Sequence, residues 1–395
     1  MPIKVLKFVA AFGWGGTEGQ FVNLGLGLER SRFEVHFGCL RRFGMMLEEL
    51  ESSGVPVTDY SVSSFRSPRA IAAQFRLARN IRRFGIDIVH AYGFSANAFA
   101  IPAARLAGVK VVASIRDMGV YLSPAKLTAQ RWICKFADRI LVNAEAIKAW
   151  LVDAGYDGNR ITVIPNGVDV SRFEPARSNR LRSDLGLTAD APLVGVLGRV
   201  SGRKGLEDFI AATSIVAPRF PSARFLIIGE PSFSSRGGQI HVDETYTNEL
   251  KALAERQGVN DRVIFTGFRS DVSRILPELT VSVLPSLSEG LSNTVLESMA
   301  AGVPVVATRV GGTAEVIRDS ENGLLVPPSD PRSLADSICR LLDAPEFAAK
   351  VGAAGRQRII DRYSMARLIE DTSRFYESIV DYSDAGVPQV VRMDA

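Results

Sequence analysis

Leu193-Val194-Gly195-Val196-Leu197-Gly198-Arg199-Val200-Ser201-Gly202-Arg203-Lys204-Gly205 is the stretch that decides the fold. Its first six residues read as a buried strand, Leu193–Gly198. The glycines that follow punctuate it. Arg199 ends the strand and Lys204 opens the next helix. A short apolar strand passed through a glycine-rich turn into a helix is the repeating unit of a parallel sheet.

The same unit recurs in both directions. Downstream, strands are expected at Arg224–Gly229, Arg262–Thr266, Val281–Pro285, Pro304–Thr308 and Gly323–Val326. Upstream they are expected at Lys4–Ala10, Phe33–Leu40, Val55–Tyr60, Ile86–Ala91, Lys110–Ile115, Arg139–Val142 and Arg160–Ile164, with amphipathic helices between. The turn cluster Pro165-Asn166-Gly167-Val168-Asp169 and the polar stretch Ser171 to Asp184 separate the two series. The expectation is an α/β chain of two Rossmann-like, doubly wound domains, residues 1–172 and 173–363. Tandem domains of this kind leave a cleft, and their ligands sit at the carboxyl ends of the strands.

Bulk properties agree. A chain of 395 residues suits two cores. With 46% hydrophobic and 23% charged residues it reads as globular rather than disordered. No apolar run is long enough to span a membrane. Met1–Ala10 alternates like a strand and lacks a signal-peptide layout, which makes a cytoplasmic location the expectation. Cys39, Cys134 and Cys339 are odd in number and widely spaced, and the three histidines lack ligand spacing, so neither a disulfide framework nor a metal site is expected. The charge of +4 fits an anionic small ligand or lipid surface; no nucleic-acid signature accompanies it.

Three segments carry chemistry. Gly13-Trp14-Gly15-Gly16-Thr17-Glu18 follows the first strand and opens a helix, where glycines and the helix start favour an anion. It is not the dinucleotide fingerprint, whose third glycine would fall at Glu18. A plain tight turn is the alternative. Arg199 and Lys204 can clamp a diphosphate from two sides, and such charge stabilises a diphosphate leaving group. Two solvated surface charges are the alternative. Glu289-Gly290-Leu291-Ser292-Asn293-Thr294-Val295-Leu296-Glu297 places Glu289 at the mouth of a helix and Glu297 about one turn in. Sugar or ribose hydroxyls are natural donors to such carboxylates, and amides near Asn293–Val295 would meet phosphates. Helix capping plus one exposed glutamate is the alternative.

Together, in this order, these segments resemble the retaining family 4 glycosyltransferases, which have the GT-B fold. The likeness also takes in Pro165–Asp169, Glu297-Ser-Met-Ala-Ala-Gly-Val-Pro-Val-Val-Ala-Thr308, Gly311-Gly312 with Glu315, and Asn322–Val326. It implies transfer of a sugar with retention from a nucleoside diphosphate sugar, of UDP or GDP type, to a saccharide or lipid-linked saccharide acceptor in cell-surface polysaccharide or glycolipid assembly. No further cofactor is implied. Arg199 and Lys204 would hold the diphosphate, with Glu289 on the donor sugar and amides of Gly290, Leu291 and Ser292 nearby. Asn293 and Thr294 would meet the phosphates and Glu297 the ribose. Gly267 and Phe268 would border the base, and Gly15 and Gly16 would let the first loop approach donor and acceptor. The last helix, 364–382, would cross back onto the first domain. The absence of any Asp-x-Asp triplet agrees with a metal-independent enzyme.

The pattern departs from the family after Val111–Ile115. Many members have a histidine there; this chain has Arg116-Asp117. Arg116 is open between binding an anionic group and pairing with Asp117. His90 is open between lining an acceptor pocket and a structural role. In 67–85, Arg69, Arg76, Arg79 and Arg83 share one helical face, opposite Ile71, Phe75, Leu77 and Ile81. That face suits either solvent or an anionic membrane at its inner surface. The polar segment Glu230 to Thr247 reads as a lid or loop. Rival readings are a sugar-nucleotide epimerase of the same fold, a catalytically silent partner subunit, and an NAD-dependent oxidoreductase.

Overall fold

The computed structural model describes residues 1–13, 16–62, 64–65, 67–173, 179–231, 233–236 and 239–381. Gly15, placed at the donor by the sequence, lies outside them, as does the tail after Asp381. The chain divides into two compact units, one of Met1–Asn166 with the segment from Ala366, the other of Gly167–Met365. The division falls inside the Pro165–Asp169 turn, earlier than the polar stretch suggested. Residues after Asn166 are held by the second unit, where Val168 N–H donates to Tyr363 O and Met365 N–H donates to Val168 O.

The first unit has seven strands: β1 Ile3–Val9, β2 Phe33–Cys39, β3 Val57–Asp59, β4 Ile88–Tyr92, β5 Lys110–Ser114, β6 Arg139–Val142 and β7 Ile161–Val163. All are parallel, in the order β3-β2-β1-β4-β5-β6-β7. The central strands β1, β4 and β5 are buried over most of their length, even where they carry Lys7 and His90. The long helix Met365–Asp381 joins this unit: Tyr376 is fully buried, and Arg32 binds Glu377 at 2.9 Å and Glu370 at 3.3 Å.

The second unit has β8 Leu193–Leu197, β9 Arg224–Ile228, β12 Val263–Gly267, β13 Val281–Leu284, β14 Val305–Thr308 and β15 Leu324–Val326, parallel in the order β12-β9-β8-β13-β14-β15. A core of Val194, Phe209, Phe225, Val283 and Ile338 packs between sheet and helices. The expected lid or loop at 230–247 instead contains an antiparallel hairpin, β10 Phe233–Arg236 with β11 Gln239–Val242.

Two expectations change. The helix Pro68–Phe84 buries Leu77 and Ile81, but Ile71 and Phe75 are 58% and 60% exposed, beside its arginines rather than opposite them. At 100° per residue they lie about 80° and 120° from Ile81, on the side that leads round to Arg79. His90, open between an acceptor pocket and a structural role, is a buried residue here. It lies inside β4, fully buried, with Nδ1 2.6 Å from the Tyr376 hydroxyl and Nε2 2.8 Å from Ser114 Oγ. Burial, with Lys7 and Arg116 behind it, pushes its pKa well below the usual range.

Candidate active site

In the second unit two loops meet at the carboxyl ends of the adjacent strands β8 and β13. The first runs from Gly198 through a 3-10 turn, Gly202–Lys204, into the helix Leu206–Val216. Lys204 therefore closes the turn before the helix rather than opening the helix. The second loop runs from Pro285 to Ser292, whose Oγ accepts from Val295 N–H and starts the helix Asn293–Ala300. A backbone bond of 2.8 Å from Leu287 N–H to Arg203 O ties the loops together.

The tie brings Lys204 to Glu289: Nζ lies 2.6 Å from Oε1, with both side chains partly buried. Ser286 Oγ donates to the same oxygen at 2.7 Å, and Thr308 at the end of β14 donates to Ser286 O at 2.5 Å. Oε2 of Glu289 takes no hydrogen bond among the described residues. Arg199 stands exposed just beyond β8. Thr294 Oγ1 donates to Leu197 O at 3.3 Å, holding the second helix start against the end of β8. The result is a concentration of two cations, one carboxylate oxygen and the positive end of a helix dipole.

Two glycines make this close approach feasible. Gly205 has φ +61°, and a Cβ there would overlap the carbonyl oxygen of Pro285. Gly311 has φ +48°, and its Cβ would overlap the carbonyl of Glu289 and lie 2.9 Å from that of Gly290. Gly312 N–H then donates to Gly290 O at 2.6 Å, a third clamp on the loop. Sequence reasoning quoted both glycines without seeing what they approach; their signal is the glycine itself beside a motif loop.

Gly290, Leu291 and Ser292 are buried, and Asn293 and Thr294 are partly open. Gly267 ends β12 and Phe268 follows it, partly buried. Arg269 is held away by Asp271 and Asp184, each at 2.8 Å. In the first unit Gly16 begins the helix Gly16–Gly27 and is exposed.

Glu297 is not the exposed glutamate of the alternative reading. No hydrogen-bond partner for its carboxylate lies among the described residues, and burial pushes its pKa up to about 7 against the pull of Arg172. The folded state therefore holds this proton more tightly than the unfolded chain, whose carboxyl titrates near 4.5. Stability from this group falls as pH climbs through that interval, by roughly 3 kcal/mol in total. Glu297→Gln is expected to match the native chain near pH 4 and exceed it at pH 8, read by urea unfolding at each pH. Equal pH slopes for the two proteins would contradict this.

Arg116 and Asp117 do not pair. Asp117 accepts from Gly119 N–H and the Tyr121 hydroxyl, both at 2.7 Å, and so closes its own turn, while Arg116 donates to Asn166 Oδ1. Among the described residues no group of three His, Cys, Asp or Glu could hold a metal ion. No helix there is long and apolar enough to cross a membrane.

Comparison with known proteins follows the same division. A family model of glycosyl transferases group 1 matches residues 191–344, and one of glycosyltransferase family 4 matches 14–172. The "Putative glycosyltransferase EpsD" of Bacillus subtilis (strain 168) is 30% identical over 327 residues, 80% of this chain and 82% of the relative. The 2-deoxystreptamine glucosyltransferase of Streptomyces kanamyceticus is 26% identical over 401 residues, covering 96% of this chain and 99% of the relative. Among solved structures, Anabaena Alr3699/HepE in complex with UDP-glucose superposes with a TM-score of 0.83 at 22% identity, over 95% of this chain and all of that one. That likeness shows the fold.

Proposed function

We propose, from the premise that this chain belongs to the family 4 glycosyltransferases and is a glycosyltransferase of GT-B fold, that it moves a hexose from a nucleoside diphosphate sugar to an acceptor hydroxyl with retention. The observation that carries this is the pairing of Lys204 with Glu289 between two strand ends. One ammonium proton of Lys204 is fixed on Glu289, which leaves the others for a diphosphate, with Arg199 and the helix start adding positive charge. A diphosphate leaving group gains most from such charge as its bond to the sugar breaks. Glu289 Oε2 accepts from hydroxyls of the donor sugar, and Glu297 accepts from the ribose. Gly290, Leu291, Ser292, Asn293 and Thr294 supply amides, and Gly267 and Phe268 border the base; Gly16, with Gly15 outside the described residues, is assigned to the donor by the family resemblance alone. That unit, with the last helix, takes the acceptor. A UDP sugar is the favoured donor, in keeping with the UDP-glucose bound by Alr3699/HepE. No metal or other cofactor enters this scheme.

The test follows each substrate by NMR. UDP and GDP sugars are offered with and without saccharide and lipid-linked acceptors. Nucleoside diphosphate released only with acceptor, and a product that keeps the donor's anomeric configuration, are expected. Donor consumed without acceptor would make the chain an epimerase, and nucleotide binding without turnover a silent partner.

The acceptor's location gives a second expectation. Ile71 and Phe75 project from the helix Pro68–Phe84 among Arg69, Arg76, Arg79, Arg82 and Arg83, all exposed. Apolar groups framed by arginines suit the inner, anionic face of a membrane. Vesicles with phosphatidylglycerol should bind the chain and pure phosphatidylcholine should not. Ile71→Ser with Phe75→Ser should weaken binding by roughly tenfold or more; unchanged binding would remove this helix from the account.

A further inference from the structure

Strands β5, β6 and β7 are neighbours, and the chain leaving their carboxyl ends carries Arg116, Asn143 and Asn166. The three side chains converge on one atom. Arg116 Nη2 and Asn143 Nδ2 both donate to Asn166 Oδ1, the latter at 3.3 Å. Arg116 is 8% exposed, Asn143 3% and Asn166 4%. The guanidinium also lies 5.8 Å from the centre of the Tyr92 ring.

No carboxylate offsets this buried charge among the described residues. The groups that act on Arg116 are the phenols of Tyr92 and Tyr376, and Asp117 is engaged in its own turn. The basic group beside it is Lys7, fully buried, which donates to the Tyr92 hydroxyl at 3.0 Å and whose pKa is pushed down by burial and by Arg116. Two atoms of the cluster are also left without partners, the donor Arg116 Nε and the acceptor Asn143 Oδ1. A buried cation without a counter-charge and a buried orphan carbonyl are each costly to folding. Here both costs fall on the carboxyl edge of a parallel sheet, where ligands of such folds bind. One ligand type would satisfy both: an anionic oxygen for the guanidinium, beside a hydroxyl for the carbonyl.

We propose that Arg116, Asn143 and Asn166 form an acceptor subsite that takes a negatively charged group, carboxylate or phosphate, on a hydroxylated ring. The acceptor is then an acidic sugar or a sugar phosphate. Only the word acceptor rests on the glycosyltransferase reading; the binding is measurable without turnover.

Glucuronate, glucose 6-phosphate and glucose are offered to the full chain without nucleotide, and binding is read by saturation-transfer NMR and calorimetry. At least one anionic sugar should bind roughly tenfold more tightly than glucose. Preference for glucuronate assigns a carboxylate, and preference for glucose 6-phosphate a phosphate. Arg116→Gln should abolish the preference. Asn143→Asp places a carboxylate beside the guanidinium; it should raise the melting temperature and also abolish anionic-sugar binding, which a merely structural Arg116 would not cause. A thermal shift with nucleoside diphosphates, read in the second unit, checks that each variant is folded. Equal binding of all three sugars, or anionic binding undiminished in both variants, overturns the proposal. Acidic-sugar binding by a chain that responds to no nucleoside diphosphate would instead leave the subsite standing and remove the glycosyltransferase chemistry.

Discussion

Lys204→Ala is expected to lower sugar transfer by roughly 10²–10³-fold, the usual effect of removing one preorganised charge from the group that leaves. Three consequences combine. The diphosphate loses a point charge on one side. Glu289, partly buried and 2.6 Å from Nζ, is left negative next to that diphosphate. Its side chain also loses the contact that fixes it, leaving Ser286 as its donor. Glu289→Gln should act less severely, because an amide still meets Lys204 and the sugar. The double variant should fall short of the product of the single losses, since both remove one interaction. Initial rates at saturating donor, measured for the three proteins, check this; strictly multiplicative losses would mean that the pair does not act as a unit.

Gly311→Ala is the second large effect, expected to cost more than about 3 kcal/mol of stability and most of the activity. The left-handed backbone at φ +48° disfavours any side chain, and the new Cβ would overlap the Glu289 carbonyl. Relief requires moving 289–290, the segment that carries the Glu289 carboxylate. Gly302 supplies the control. It too has positive φ, +72°, but a Cβ there has its nearest neighbour at 4.0 Å. Gly302→Ala should therefore cost only about 1 kcal/mol, the backbone term alone. Urea unfolding of both variants checks the difference. Similar losses would show that contact with the 289–290 carbonyls is unimportant.

The fold was legible because strands buried on both faces leave short apolar runs, and glycine and proline mark their ends. All thirteen expected strands occur, with boundaries shifted by the turns around them. The β10–β11 hairpin was not legible, since its four-residue strands mix polar and apolar residues and its pairing is antiparallel. Within the site, residue types were readable and partners were not. Lys204 and Glu289 are 85 positions apart, and nothing in either segment announces the other. Glu297 was open between a ribose ligand and an exposed glutamate, because helix spacing says which way a side chain points, not what covers it. Lys7 shows the same limit. Lys4 and Lys7 of β1 both read as polar positions of an alternating strand, yet Lys7 is wholly buried against Tyr92 and Phe21. His90 and Arg116 were open between ligand and core roles for that reason; only the partners of each separate them.

A thermal-shift titration against UDP, GDP, ADP, CMP and NAD, on the native chain and Lys204→Ala, tests the central claim most directly. A ligand that binds only the folded state raises the midpoint with its occupancy. The account predicts a clear rise with one nucleoside diphosphate, UDP before GDP, that is lost in Lys204→Ala. No rise with any nucleoside diphosphate, a rise with NAD alone, or a rise untouched by the substitution would contradict the assignment of this site to the donor.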